Sequence, residues 1–146
     1  MGSSSDREAM KEASLLLEQF GISYEERVIS AHRNPEEVRE YALAAEDRGL
    51  EVIIAGAGMA AHLAGALAAL SSLPVIGVPL VAGELKGLDA LLSTVQMPRG
   101  VPVAAVAIGG ARNAAILAAQ ILGLKYPEVR KKVKEYKAGL AEERAK

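Results

Sequence analysis

Three short apolar runs, Val52 to Ala55, Val75 to Val78 and Val103 to Ile108, punctuate the chain and end against glycine or proline. Runs this short, with little polar alternation, fit strands covered on both faces. Between and after them lie stretches of helical spacing, about Ala60 to Leu70, Leu88 to Val95 and Asn113 to Leu122. Strand and helix therefore alternate, which predicts a parallel sheet with helices on both sides. The chain of 146 residues suits one domain, a size at which a core forms without covalent staples.

The first fifty residues extend the pattern. Ser5 and Glu8 have capping-box spacing, and Ala9, Met10, Ala13, Leu16, Leu17 and Phe20 follow at three- and four-residue steps, predicting a helix that ends at Gly21. Residues 22 to 29 read as a strand. Asn34 suits an N-cap, Pro35 the first helical position, and Glu36 and Glu37 the positive end of the dipole of a second helix stopping at Gly49. Pro127 opens a last helix to about Glu143, rich in Lys, Arg and Glu. The chain thus divides into an α/β unit over 1–126 and a terminal helix over 127–146, solvated or an oligomer arm, and largely dispensable to the core. One feature departs from a doubly wound unit: Met1-Gly2-Ser3 leads into the first helix with no strand before it, where such units normally begin with one.

Composition closes several routes to function. With no cysteine there is no thiol nucleophile, disulfide or thiolate metal site, and a reducing compartment, the cytoplasm, is expected. Two histidines make no multi-histidine metal cage. A net charge of -1 supplies no overall field for a nucleic-acid backbone or an anionic membrane, and one Phe with no Trp leaves little surface for stacking bases. No apolar run reaches the roughly 18 residues of a membrane span. The reading is a protein that binds neither nucleic acid nor membrane.

Chemistry concentrates in turns that follow strands or open helices. Gly2-Ser3-Ser4-Ser5-Asp6 is a hydroxyl-rich loop at a helix start, a candidate phosphate cradle or simply a cap. Ser30-Ala31-His32-Arg33-Asn34-Pro35 stands at the carboxyl end of the predicted 22–29 strand, where open parallel sheets bind ligands. There an imidazole can shuttle a proton and a guanidinium can grip an anion, although a loop histidine is often merely exposed. Ala55-Gly56-Ala57-Gly58-Met59-Ala60-Ala61-His62-Leu63 is a second strand-to-helix turn, whose small residues allow close backbone approach. It lacks the third glycine of the dinucleotide fingerprint. The stretch from Gly87 to Gly100 reads as a short helix and a Pro-Gly loop, with Asp89 at the helix start.

Taken in order, GSSSD, SAHRNP, AGAGMAAHL, GVP, GLDALLSTVQMPRG, PVAAVAIG and NAAILAAQIL resemble the PurE family of purine biosynthesis along essentially the whole chain. The resemblance implies a single-domain three-layer αβα fold with a parallel flavodoxin-like sheet whose first strand is missing from this sequence. Three accounts of that gap are open: further residues precede Met1, the chain is shortened or engineered, or a partner supplies the strand. The SAHR and AAHL segments are similar to the class I enzymes, which convert N5-carboxyaminoimidazole ribonucleotide to its 4-carboxy isomer by decarboxylation and recarboxylation. On that resemblance His32 is the general acid/base, and no metal or organic cofactor is implied. Ser3, Ser5, Asp6, Ser30 and Arg33 match positions binding the ribose phosphate. Gly58, Ala60, Ala61, His62 and Leu63 match the wall of a pocket for released CO2, with His62 supporting the loop. The family also implies a nucleotide substrate and self-association, typically as an octamer. One departure stands out: the family's AAHLPG has Ala64 in place of the proline here, which predicts a looser loop. Two other readings remain, a non-catalytic engineered subunit that self-assembles on this scaffold and a carboxylase, acting directly on aminoimidazole ribonucleotide or on another nucleotide.

Overall fold

The computed structural model describes residues 1–143. Its elements are a 3₁₀ turn at Ser4–Asp6, then α1 (Arg7–Phe20), α2 (Pro35–Ala44), β1 (Ile53–Gly58), α3 (Leu63–Leu70), β2 (Val75–Leu80), α4 (Leu88–Val95), β3 (Ala104–Ala105), α5 (Ala111–Leu122) and α6 (Pro127–Glu143). The sheet is parallel throughout, in the order β1-β2-β3, with Ile53 opposite Val75 and Ile76 opposite Ala104. Every residue of β2 is buried, as a strand covered on both faces must be.

Two apolar clusters make the three layers. On one face Met10, Leu16, Leu17 and Phe20 of α1 pack with the alanines of α5 and with Ile76, Val78 and Leu80. The spacing in α1 puts those four side chains on one stripe, and small residues in α5 let the two helices approach closely. Val129 and Val133 of α6 are buried in the same cluster and Tyr136 meets Phe20 edge-on at 5.6 Å, so the first turns of α6 belong to the core. Its lysines at 131, 132 and 134 are exposed. On the other face Val38 and Ala42 of α2 and Leu63, Ala64 and Leu67 of α3 pack with Ile29, Ile53, Ala55 and Val75.

Four local expectations change. Residues 22–29 form no strand: beyond the Ile22 N–H bond to Leu17 O that closes α1, their backbone bonds to another segment, among the described residues, are two made with Met1. A strand is defined by its ladder, and this segment has almost none. The 103–108 run pairs only at Ala104–Ala105, although Val106 N–H still donates to Gly77 O and Gly109 N–H to Pro79 O. The Ser5–Glu8 capping box does not form; Ser3 caps the 3₁₀ turn by accepting from Ser5 N–H, and the Ser5 hydroxyl donates to Ser3 Oγ at 2.9 Å. The second helix ends at Ala44, and a run of turns carries the chain to Leu50. Ala64, in the proline position, is 3% exposed and packs in the α2/α3 cluster.

Candidate active site

Three turns meet at the carboxyl end of β1, and hydrogen bonds through Gly2 join them. Gly2 N–H donates to Gly56 O at 3.0 Å, which lays the serine loop beside the end of β1. The Arg33 guanidinium donates to Gly2 O at 3.3 Å from Nη2, which ties the SAHR turn to the same residue. Arg33 is itself positioned by Ser30, whose hydroxyl oxygen accepts from Arg33 N–H and Nε, each at 3.3 Å. The Ser30 carbonyl accepts from Asn34 N–H at 2.8 Å and closes the turn into α2. A hydroxyl that engages nearby backbone in this way favours turns over regular structure.

The two histidines of the chain are brought together by these turns. His32 Nε2 lies 2.8 Å from His62 Nδ1, with ring centroids 4.9 Å apart and planes at 66°. Both side chains remain exposed to solvent. With both rings neutral, one nitrogen donates and the other accepts, and a single added proton on either ring preserves the bond. A second would leave two N–H groups facing each other. The pair is therefore a donor–acceptor contact between two turns at a solvent-accessible position.

His62 owes its position to the turn from β1 into α3. Met59 has φ of 52°, the left-handed region, and His62 N–H donates to Ala60 O before α3 begins. A Cβ on Gly58 would stand 2.6 Å from Ala82 Cβ, so the glycine is required where the chain passes the end of β2. Ala61 and Leu63 are each 2% exposed and turn into the core, whereas Ala60 is exposed. On the far side of His62 a second open concavity of about 650 Å³ is lined by Gly65, Ala66, Leu92, Ser93, Gln96 and Met97.

Asp6 lies at the start of α1, half-buried. Burial pushes its carboxyl above the usual value of 3.8, against the opposing pull of a hydrogen bond from the Ser3 backbone, the amino terminus, Arg33 and Ser5. Ser3, Ser5 and Asp6 thus form one patch, Arg33 reaches it through Gly2, and the histidine pair stands on the adjoining turns. Sequence reasoning gave His62 only a supporting role, and it missed Gly2 as the joint. The available signal was that both histidines follow a small-residue turn, in SAHR and in AAHL. Among the described residues no group of three or more His, Asp or Glu is placed to hold a metal ion.

Comparison with known proteins agrees across the chain. The family model described as AIR carboxylase matches residues 1–143. A Pyrococcus abyssi protein named N5-carboxyaminoimidazole ribonucleotide mutase is 62% identical over 137 residues, 94% of this chain and 79% of that protein. The Thermotoga maritima protein of the same name is 61% identical over 143 residues, 98% of this chain and 84% of its own. A crystal structure of Treponema denticola PurE superposes with a TM-score of 0.87 at 32% identity, covering 98% of this chain and 89% of that one.

Proposed function

The chain belongs to the AIR carboxylase family, and on that premise we propose that it is a cytoplasmic, self-associating mutase that moves the carboxyl group of N5-carboxyaminoimidazole ribonucleotide from the exocyclic nitrogen to C4. The observation that carries this reading is the 2.8 Å contact between His32 and His62 beside the serine loop. An isomerisation has no net redox change and no net proton change, so one side chain that gives and then takes a proton balances it. Protonated His32 gives its proton to the exocyclic nitrogen as the N–C bond breaks and CO2 departs. C4 then attacks the CO2 carbon, and the C4 proton returns to His32 as the ring regains its aromaticity. His62 holds the His32 ring in place by accepting from, or donating to, Nε2.

Binding falls to the other residues. Ser3 and Ser5 offer hydroxyls at the opening of α1, whose positive end favours phosphate. Arg33 contributes a planar fork of donors for an anionic group, with Ser30 fixing its orientation. Asp6 accepts from ribose hydroxyls. The turn of Gly58, Ala60, Ala61, His62 and Leu63 presents backbone to a small neutral molecule, and retention of CO2 there keeps the second step effectively unimolecular. No metal or organic cofactor enters this scheme. Assembly is proposed as an octamer.

The test is His32→Asn, which keeps a polar group of similar reach but carries no mobile proton. Turnover is expected to fall by about 10²–10⁴-fold with the fold intact by circular dichroism; unchanged turnover would falsify the assignment. The name of the family model favours one second reading, direct carboxylation of aminoimidazole ribonucleotide. Turnover in ¹³C-labelled bicarbonate separates the two: a mutase carries the substrate's own carboxyl carbon into product, whereas a carboxylase takes up the label.

A further inference from the structure

The contact between His32 Nε2 and His62 Nδ1 has the span of a chelate as well as that of a hydrogen bond. At metal–nitrogen lengths of about 2.0–2.1 Å, two imidazoles at adjacent corners of a square hold their nitrogens about 2.8–3.0 Å apart, and at two corners of a tetrahedron about 3.3–3.4 Å apart. The two histidine nitrogens are 2.8 Å apart. A tetragonal ion therefore takes them where they stand, whereas a tetrahedral one has to push the two turns apart.

The ion requires rotation of the rings instead. In the hydrogen bond one nitrogen aims its lone pair at the other's proton, so both rings turn about χ2 until their lone pairs converge on a point beside the N···N line. That torsion is soft for histidine, and both side chains are exposed. The bridging proton moves to the far nitrogen of its own ring by exchange with solvent, and two dative bonds replace one hydrogen bond. Arg33, the neighbouring cation in sequence, is held by Ser30 Oγ and Gly2 O. The remaining corners of the square fall to water.

The rest of the chain offers no comparable donor set. It contains two histidines and no cysteine, and among the described residues no group of three or more His, Asp or Glu could hold an ion. Two imidazoles are too few to cage a metal and enough to chelate one, which makes a site that fills and empties with free ion rather than one with a resident cofactor. We propose that His32 and His62 form a bidentate site for Cu²⁺ and that the loaded site is inactive. The preference follows from the span and from the general order of divalent affinities, in which Cu²⁺ stands highest. Inactivity rests on the mutase reading: an ion on Nε2 occupies the lone pair through which His32 gives and takes its proton.

The test uses the 146-residue chain without a histidine tag, titrated with Cu²⁺ in a weakly competing buffer and followed by visible absorption and pulsed electron paramagnetic resonance. One bound equivalent is expected, with modulation from two imidazoles. The amino terminus is the competing donor, and it contributes no imidazole. An ion that couples to one imidazole or to none overturns the proposal. His62→Ala and His32→Ala should each weaken binding about 10²-fold, the loss that goes with turning a chelate into a single contact; affinity within about threefold of the parent in either variant also overturns it. The parent spectrum needs no variant, so a misfolded one leaves the test intact. Turnover is read on the same samples, and a loss in step with occupancy that EDTA reverses is expected. Full turnover with one equivalent of Cu²⁺ bound overturns the inhibition. A chain with no turnover before copper is added refutes the mutase reading, and the spectra still decide the chelate.

Discussion

Gly56 and Gly77 sit on adjacent parallel strands, yet adding one methyl group to each should have unequal consequences. A Cβ on Gly77 would stand 2.3 Å from Thr94 Cγ2, 3.0 Å from Val103 Cγ1 and 3.3 Å from Ala64 Cβ. Thr94 is 2% exposed and its hydroxyl donates to Ala90 O at 2.7 Å, so its branched side chain has no free rotamer to adopt. Overpacking typically costs about 1–3 kcal/mol, and three rigid neighbours place Gly77→Ala near 3 kcal/mol, partly offset by the roughly 0.4–1 kcal/mol gained when Ala restricts the unfolded chain. At about 2–4 °C per kcal/mol, the net loss of about 2–2.5 kcal/mol lowers Tm by roughly 4–10 °C. A Cβ on Gly56 meets Met10 Sδ at 2.4 Å, but that atom lies on an unbranched chain free to change rotamer. Gly56→Ala is therefore expected to cost about 1 kcal/mol or less. Thr94→Ser deletes the obstructing methyl while keeping the hydroxyl bond, so Gly77→Ala/Thr94→Ser should recover at least half the loss in urea denaturation. Gly77→Ala as mild as Gly56→Ala, or a double variant with no recovery, would refute the reasoning.

Other predictions concern the site. His62→Ala should lower kcat by roughly 10–100-fold with KM within about threefold, and His62→Asn, whose amide can occupy the Nδ1 position, should regain part of the loss in steady-state assays. Arg33→Lys cannot bridge Ser30 Oγ and Gly2 O at once, so KM for the nucleotide should rise about tenfold while the far-ultraviolet spectrum is unchanged. Burial raises the Asp6 carboxyl in the folded chain, which then binds its proton more tightly than the unfolded chain does. Stability from this group is full below the ordinary value of 3.8 and falls as pH rises through the folded value, so Asp6→Asn should melt higher than the parent chain at neutral pH and lose that decline. A Tm that is lower at neutral pH in Asp6→Asn would contradict the sign.

The middle of the chain was legible because one physical rule governs it. Buried parallel strands need unbroken apolar runs: all but the first residue of the Val52–Ala55 run lies in β1, and Val75–Val78 lies in β2. Helix α4 runs over Leu88–Val95 as its spacing predicts. The failures lie where pairing or local competition decides. Residues 22–29 carry strand-like composition at Val28 and Ile29, but sequence says nothing about whether a neighbour supplies the ladder. Ser5 has the spacing of a cap, yet Ser3 reaches the turn first and takes its N–H. The individual site residues were visible as motifs. Their meeting was not, because the contact of His32 with His62 is made by two loops thirty residues apart in sequence and depends on α2 and α3 sharing one apolar cluster.

Gly2 gives the site an unusual economy of attachment. Its N–H is committed to Gly56 and its carbonyl to Arg33, so the two peptide planes that flank one α-carbon together join three turns. A Cβ there would lie 3.6 Å from Ala57 Cβ and 3.8 Å from Asp6 Oδ2, room for one methyl group and little more. The serine loop, the SAHR turn and the end of β1 are therefore coupled through one residue: a substitution that turns either plane is transmitted across Gly2, from the β1 side to the Arg33 side.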